Sequence, residues 1–224
     1  MKKVLLIRIV IAIIFGQSLS ANGAPTITVE RGHYQTGSGG EFKIVVNEDL
    51  PGHAAGTSFQ SFCLERNEYL SFGQTYFVDV SDVAVNGGVG GPSPDPLDSR
   101  TAWLYNEFLN ETLPGYDFVN TDIGRRYSAY FLQQAIWYLE DELSWIRTNS
   151  LADQFVQMAN ASDWYLNGYT GDIRVLNMYA NPDLTGNKQD QLIRVAEVPA
   201  PGAIPLCGLG TCVLGWLRRR KHLC

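Results

Sequence analysis

The chain has 224 residues, 45% of them hydrophobic and 18% charged, which suits one domain of ordinary size and excludes a disordered or low-complexity polypeptide. Seven of the 17 basic residues lie in the first ten or last seven positions, so residues 25–199 hold ten basic residues against all 23 acidic ones, a net charge of -13. Such an acidic middle excludes nucleic acid and anionic lipid as the main partners.

Residues 1–24 have the pattern of a secretory signal peptide. Lys2 and Lys3 precede an apolar run that extends from Val4 to Phe15, and small or polar residues follow it. This order of a basic N-terminal region, a short apolar core and a stretch of small residues is typical of export signals. We therefore expect the chain to cross the inner membrane. A buried N-terminal helix is the alternative interpretation.

The first half of the remaining chain is predicted to form antiparallel strands. Apolar and polar residues alternate with a period of two in several segments, which Gly and Asn residues separate. The predicted strands cover residues 26–30, 41–46, 58–64 and 75–83. A long surface loop rich in Gly and Pro is predicted over residues 86–98.

The second half changes to a helical period before it returns to strands. Helices are predicted over residues 99–109, 125–146 and 150–166, with Ser99 as the cap of the first helix. Glu140 to Glu142 are expected to be solvated at the end of the second helix. Strands are predicted again over residues 172–179 and 191–195. This order predicts a single α+β domain over residues 25–197, with an antiparallel sheet and three helices.

The last part of the chain has three features in a fixed order, which divide residues 198–224. A proline-rich motif is followed by an apolar segment over residues 203–217 and then by a basic cluster. The motif consists of Val198, Pro199, Ala200, Pro201 and Gly202. The cluster consists of Arg218, Arg219, Arg220 and Lys221. A basic cluster after an apolar segment stays on the cytoplasmic side of a membrane.

This order resembles the PEP-CTERM sorting tails of Gram-negative bacteria that make exopolysaccharide, here with a variant motif. The resemblance implies processing by an exosortase-type membrane enzyme. It also implies transient anchoring in the inner membrane and a final place on the cell surface or in the extracellular biofilm matrix. A simple C-terminal membrane anchor is the alternative.

Cys63 is the only cysteine of the predicted domain, because Cys207, Cys212 and Cys224 lie in the tail. Exported domains usually pair their cysteines. A single cysteine therefore indicates a buried apolar residue, the partner of an intermolecular disulfide, or a reactive group.

Two short segments resemble the Cys–Gln thioester domains of bacterial surface adhesins, of the TQXA type. They are Phe62-Cys63-Leu64 and Gln133-Gln134-Ala135-Ile136-Trp137, with Leu132 where the family usually has Thr. The resemblance implies that Cys63 and Gln133 condense, with loss of ammonia, into an internal thioester. Phe62 and Trp137 are expected in the dry aromatic shell that protects such a bond from water.

The chemistry implied is a single covalent attachment. An amine or hydroxyl of a surface target or exopolysaccharide would attack the acyl carbon of Gln133, and Cys63 would leave as a thiol. Because this reaction occurs once, we expect no enzyme activity. No zinc, phosphate-loop or hydrolase motif occurs in the sequence, so we predict no cofactor and no metal.

Two other functions remain open from the sequence. The domain can be a non-covalent structural or carbohydrate-binding module in which Cys63 is merely buried. It can also be a secreted polysaccharide hydrolase, with a carboxylate pair drawn from Glu65, Glu68 and residues 140–142.

Overall fold

The computed structural model describes residues 23–37, 39–119 and 122–195. The predicted signal peptide up to residue 22, the sorting motif, the apolar tail segment and the basic cluster lie outside these residues. Within the described ranges, no helix is both long and apolar enough to span a bilayer.

The α+β class predicted from the sequence is confirmed. Six strands form one antiparallel sheet in the order β10-β9-β6-β1-β4-β5, and two small strand pairs, β2–β3 and β7–β8, lie beside it. The strands are β1 (Thr26–Glu30), β2 (Gln35–Thr36), β3 (Gly39–Gly40), β4 (Phe42–Val46), β5 (Ser58–Ser61), β6 (Gln74–Ser81), β7 (Val83–Ala84), β8 (Asp95–Pro96), β9 (Ile173–Tyr179) and β10 (Asn187–Arg194). The helices are α1 (Ser99–Leu109), α2 (Asp122–Leu139), α3 (Leu151–Asn160) and α4 (Asp163–Asn167).

The sheet closes on itself through the residues that follow β5. The Leu64 N–H donates to the Asp190 carbonyl at 3.0 Å, and the Leu192 N–H donates to the Phe62 carbonyl at 3.0 Å. These bonds join the β5 side of the sheet to β10 at its other edge. The closure removes two strand edges that would otherwise expose unpaired backbone groups.

Two buried clusters fill the domain, one inside the closed sheet and one between the sheet and the helices. Ile27, Ile44, Val78 and Met178 belong to the inner cluster, and so does Cys63. The outer cluster joins α1, α2 and α3 to sheet residues. Because side chains alternate along an extended strand, residues 62 and 64 face the helices while residue 63 points inward.

The second helix ends earlier than the sequence predicts, at Leu139 rather than at residue 146. Asp141 adopts a left-handed backbone with φ 58°, and the N–H groups of Glu142 and Leu143 both donate to the Trp137 carbonyl. A left-handed residue bonded in this way terminates a helix. The expectation that residues 140–142 are a solvated helix end was wrong for Glu140 and Glu142, which are 8% and 3% exposed, whereas Asp141 is exposed.

The third predicted helix is two helices, because Ser162 caps a new start. Its hydroxyl accepts a hydrogen bond from the Tyr165 N–H, as Ser commonly does at the position before a helix. Similarly, the carboxylate of Asp98, rather than the predicted Ser99, caps α1 by accepting from the Arg100 N–H.

Candidate functional site

Cys63 and Gln133 lie in direct contact, although 70 positions separate them in the sequence. Cys63 follows β5 at the closure of the sheet, and Gln133 lies in the middle of α2. The Cys63 Sγ is 3.3 Å from the Gln133 Oε1. Both residues are fully buried. The structure therefore brings together the two residues on which the thioester interpretation depends.

The amide of Gln133 pairs with both backbone groups of Cys63. The Cys63 N–H donates to Oε1 at 3.2 Å, and Nε2 donates to the Cys63 carbonyl at 2.7 Å. The Phe62 carbonyl and the Leu64 N–H are bonded to β10 on one side of the strand, so the backbone groups of residue 63 face α2 on the other side. The amide of the unreacted side chain thus takes the place of a neighbouring strand and satisfies these buried groups.

Burial raises the pKa of the Cys63 thiol well above its ordinary value, and the negative charge of Glu65 adds to this rise. The indole N–H of Trp137 acts in the opposite direction and lowers the thiol pKa. This N–H has no hydrogen-bond partner of normal geometry among the described residues. At neutral pH the free thiol is therefore protonated and a weak nucleophile toward solvent reagents.

The two residues predicted to form the shell lie on different sides of the site. Trp137 is one helical turn after Gln133 on the same face of α2, and it belongs to the same buried cluster as Cys63. Phe62 packs edge-to-face on Phe108 in the outer cluster, with ring centroids 5.0 Å apart. Phe62 therefore lies on the face of the strand opposite to the thiol.

A cavity of about 350 Å³ has Cys63 in its wall. Aromatic side chains form much of its lining, and they come from several parts of the chain. They are Phe42, Tyr69, Phe72, Tyr130 and Trp137. The cavity thus reaches the Cys63 side of the pair, and Gln133 is not among its lining residues.

Gly39 was not recognised from the sequence as part of the site, because its segment has only the signature of a turn. A Cβ at this position would lie 2.5 Å from the Gln133 Cγ and 3.2 Å from the Trp137 Cη2. The φ of Gly39 is +126°, a conformation open mainly to glycine. The β2–β3 pair therefore packs directly on the site only because residue 39 has no side chain.

Glu41 is a second positioning residue that the sequence did not reveal. Its carboxylate is 1% exposed and accepts hydrogen bonds from the Arg125 Nε at 2.8 Å and the Tyr116 hydroxyl at 2.6 Å. Burial and the charge of Glu41 raise the pKa of Tyr116. This buried contact ties the N-terminal part of α2 to the sheet, and so fixes the helix that carries Gln133.

Two of the carboxylates considered for a hydrolase, Glu65 and Glu142, are used in backbone contacts. Glu65 accepts from the Asp190 N–H at 2.8 Å, and Glu142 accepts from the N–H groups of Arg66 and Val89, both at 2.6 Å. No described Asp or Glu is among the residues that line the cavity beside Cys63. These acids hold the segment after Cys63 in place and do not face a substrate-sized space there.

No protein-family model and no curated protein matches this sequence. Two solved structures from Streptococcus pyogenes are similar to the fold. The N-terminal thioester domain of the fibronectin-binding protein SfbI matches with a TM-score of 0.42 and 13% identity, over 77% of this chain and 94% of that one. The N-terminal domain of the pilus tip adhesin Cpa matches with a TM-score of 0.41 and 12% identity, over 79% and 97%. These likenesses are distant, and the contact between Cys63 and Gln133 stands independently of them.

Proposed function

We propose that this chain is an exported surface protein that attaches covalently to its target through an internal thioester between Cys63 and Gln133. The observation that carries the proposal is the 3.3 Å contact between the Cys63 Sγ and the Gln133 amide oxygen, made by two fully buried side chains. A buried thiol held against a buried amide has the proximity that an otherwise slow condensation requires.

The bond would form by attack of the Cys63 sulfur on the Gln133 Cδ. The carbon–nitrogen bond breaks, and the thiol proton leaves with the amide nitrogen as ammonia. The Cys63 N–H donates to the Gln133 Oε1 at 3.2 Å. It would therefore stabilise the negative charge that this oxygen gains in the tetrahedral intermediate.

The stored thioester would then acylate an amine or a hydroxyl of the target. The nucleophile bonds to the Gln133 Cδ, the carbon–sulfur bond breaks, and the proton of the nucleophile passes to the Cys63 sulfur. The Trp137 indole N–H lowers the pKa of this sulfur, so it would stabilise the departing thiolate. Since the protein is consumed in one event, we propose a non-enzymatic role.

The same proposal covers the export and the final location of the protein. Residues 1–24 would direct export, and an exosortase-type enzyme would process the tail at residues 198–202. The apolar segment and Arg218 to Lys221 would hold the chain in the inner membrane until that step. The processed protein would then reach the cell surface or the exopolysaccharide matrix.

The test is the intact mass of the purified protein, measured after unfolding in acid. We expect the mass of the wild-type chain to be lower, by one ammonia, than the mass calculated from its sequence. We also expect methylamine to form an adduct at this site. Cys63→Ala should abolish both the mass deficit and the adduct.

A neighbouring pair of glutamines supplies the matched control. Gln133→Ala should abolish the deficit, whereas Gln134→Ala should retain it, because only Gln133 contacts the thiol. A wild-type protein of full mass, with no methylamine adduct, would exclude the covalent attachment. It would favour the second candidate, a non-covalent module in which Gln133 serves only the backbone of Cys63.

A further inference from the structure

Two neighbouring cavities near Cys63 share part of their lining. The first is the cavity that has Cys63 in its wall. The second, of about 460 Å³, lies between α2 and the segment before α3, with Trp145 and Arg147 in its lining. Arg66, Tyr130 and Gln134 line both. We call these two adjacent cavities the groove; its lining extends from Cys63 to Trp145.

The charged side chains of the groove are arginines. Arg66 and Arg147 are exposed and line it, and no described carboxylate lines either cavity. Arg31 stacks on the ring of Phe72 with its Cζ 4.7 Å from the centroid, and Phe72 lines the first cavity. None of the three arginines makes an ion pair with a residue that the structure describes.

This local positive charge contrasts with the rest of the domain. Residues 25–199 carry a net charge of -13, yet the groove collects guanidinium groups that have no internal carboxylate partner. An arginine without a partner binds the carboxylate of a ligand in a two-pronged geometry. The groove is therefore complementary to an anionic ligand.

The groove also has exposed aromatic rings, and side-chain amides are part of its lining. Tyr69 and Trp145 are 78% and 72% exposed, which is unusual for rings that have no partner to cover them. Gln35, Gln134 and Gln189 line the cavities as well, and their amides can both donate and accept hydrogen bonds. Flat rings suit the apolar faces of sugars, and amides suit their hydroxyls.

We propose that the groove binds an acidic polysaccharide. Arg66 and Arg147 would pair with its carboxylates, and Tyr69 and Trp145 would pack against its sugar rings. A further consequence rests on the proposed function: a bound sugar hydroxyl would be the nucleophile. Its oxygen would form an ester with the Gln133 Cδ while the carbon–sulfur bond breaks and the hydroxyl proton passes to the Cys63 sulfur.

The test measures non-covalent binding in the Cys63→Ala variant of the purified protein, which cannot form a thioester. The probes are an oligogalacturonate, a neutral cello-oligosaccharide of equal length and a single-stranded DNA oligomer. We expect the uronate to bind at least about tenfold more tightly than the neutral sugar, and its affinity to fall as salt rises. Combining Arg66→Ala with Arg147→Ala should weaken uronate binding at least about tenfold.

Two further variants separate the groove from general surface charge. Arg126→Ala removes an exposed arginine that lies on α2 and lines neither cavity. This change should leave uronate binding unchanged. Trp145→Ala changes a ring that is mostly in solvent, so it should keep the melting temperature while it weakens binding of the uronate.

Three results would overturn the proposal. They are no binding of the uronate, equal binding of the neutral sugar, and equal or tighter binding of DNA, which would assign the groove to nucleic acid. Because the variant used lacks the thiol, none of these results bears on the intact mass that tests the thioester. Conversely, a full-mass wild-type protein would leave the groove to be judged on binding alone.

Discussion

The segment that closes the sheet carries two buried polar contacts that differ in charge. At Cys63, a neutral amide from α2 bonds to the backbone N–H and carbonyl. Two residues later, Glu65 accepts the N–H of Asp190, and Asp190 itself accepts the N–H of Met178. Both contacts satisfy buried backbone groups next to β10. The first uses a group that does not titrate, and the second depends on protons.

This difference separates the parts of the site by their dependence on pH. Burial raises the pKa of Asp190 to about 8 and raises the pKa of Glu65 well above its ordinary value. The carboxylate contacts therefore change with conditions, while the amide that holds Cys63 does not. The hydrogen bonds between the Gln133 amide and residue 63 therefore do not involve a titrating group. The carboxylate contacts do, so we expect them to make the free energy of unfolding depend on pH.

The largest effect is expected from Gln133→Leu, made in the Cys63→Ala variant so that the reference protein keeps an unreacted Gln133 amide. This change keeps the size of the side chain but leaves the N–H and carbonyl of residue 63 buried without partners. Each such group costs on the order of 1–3 kcal/mol, so we expect a loss of about 2–5 kcal/mol in the free energy of unfolding, measured with urea. Gln134→Leu, at the partly exposed neighbour, should change it by less than about 1 kcal/mol. Equal effects of the two substitutions would contradict the role given to Gln133.

A smaller effect is expected from Gly39→Ala. The new methyl group would lie 2.5 Å from the Gln133 Cγ, on a backbone with φ +126°. Overpacking and backbone strain together should lower the free energy of unfolding by about 1–3 kcal/mol. It should also reduce the fraction of chains that show the ammonia deficit. Gly37→Ala is the control, because a Cβ there meets no atom within 4 Å; comparable losses at both positions would argue against the close packing of β3 on α2.

The third effect is a change of slope rather than a fixed loss, and it concerns the carboxylate contact. The pKa of Asp190 is about 8 in the folded protein against an ordinary 3.8. Between these values the unfolded chain releases a proton that the folded protein keeps. The free energy of unfolding should therefore fall as the pH rises through this window and level off above it.

Asp190→Asn tests this slope. The Asn oxygen can still accept the Met178 N–H, and the group no longer titrates. Urea unfolding at several pH values should show a flatter dependence than in the wild type. A variant that keeps the full slope would mean that other buried acids, such as Glu140, whose burial raises its pKa to about 8, dominate the pH dependence.

The strands and helices were largely predictable, because they depend on local patterns. The alternation of residues 26–30 gave the exact bounds of β1, and the helical spacing of residues 99–109 gave those of α1. The end of α2 was not predictable in the same way. It coincides with the left-handed backbone of Asp141 and with the burial of Glu142, and the sequence shows only an ordinary run of charged residues there.

The site itself was predictable only in Cys63 and Gln133. Cys63 stood out because the predicted domain has no other cysteine, and Gln133 because of its resemblance to a known motif. Glu41 and Gly39 act through partners far away in the sequence, Arg125 and Gln133, which no local pattern connects to them. The closure by β10 was hidden for the same reason, because it pairs segments separated by more than half of the chain.

That closure also sets the order in which the site can assemble. Cys63 is held in its extended path by β10, which the ribosome makes long after it. Under the proposed export, a chain that crosses the membrane unfolded and N-terminus first would align its sulfur with the Gln133 amide only after β10 has crossed as well. The proposed thioester would then form outside the cytosol, away from the amines there.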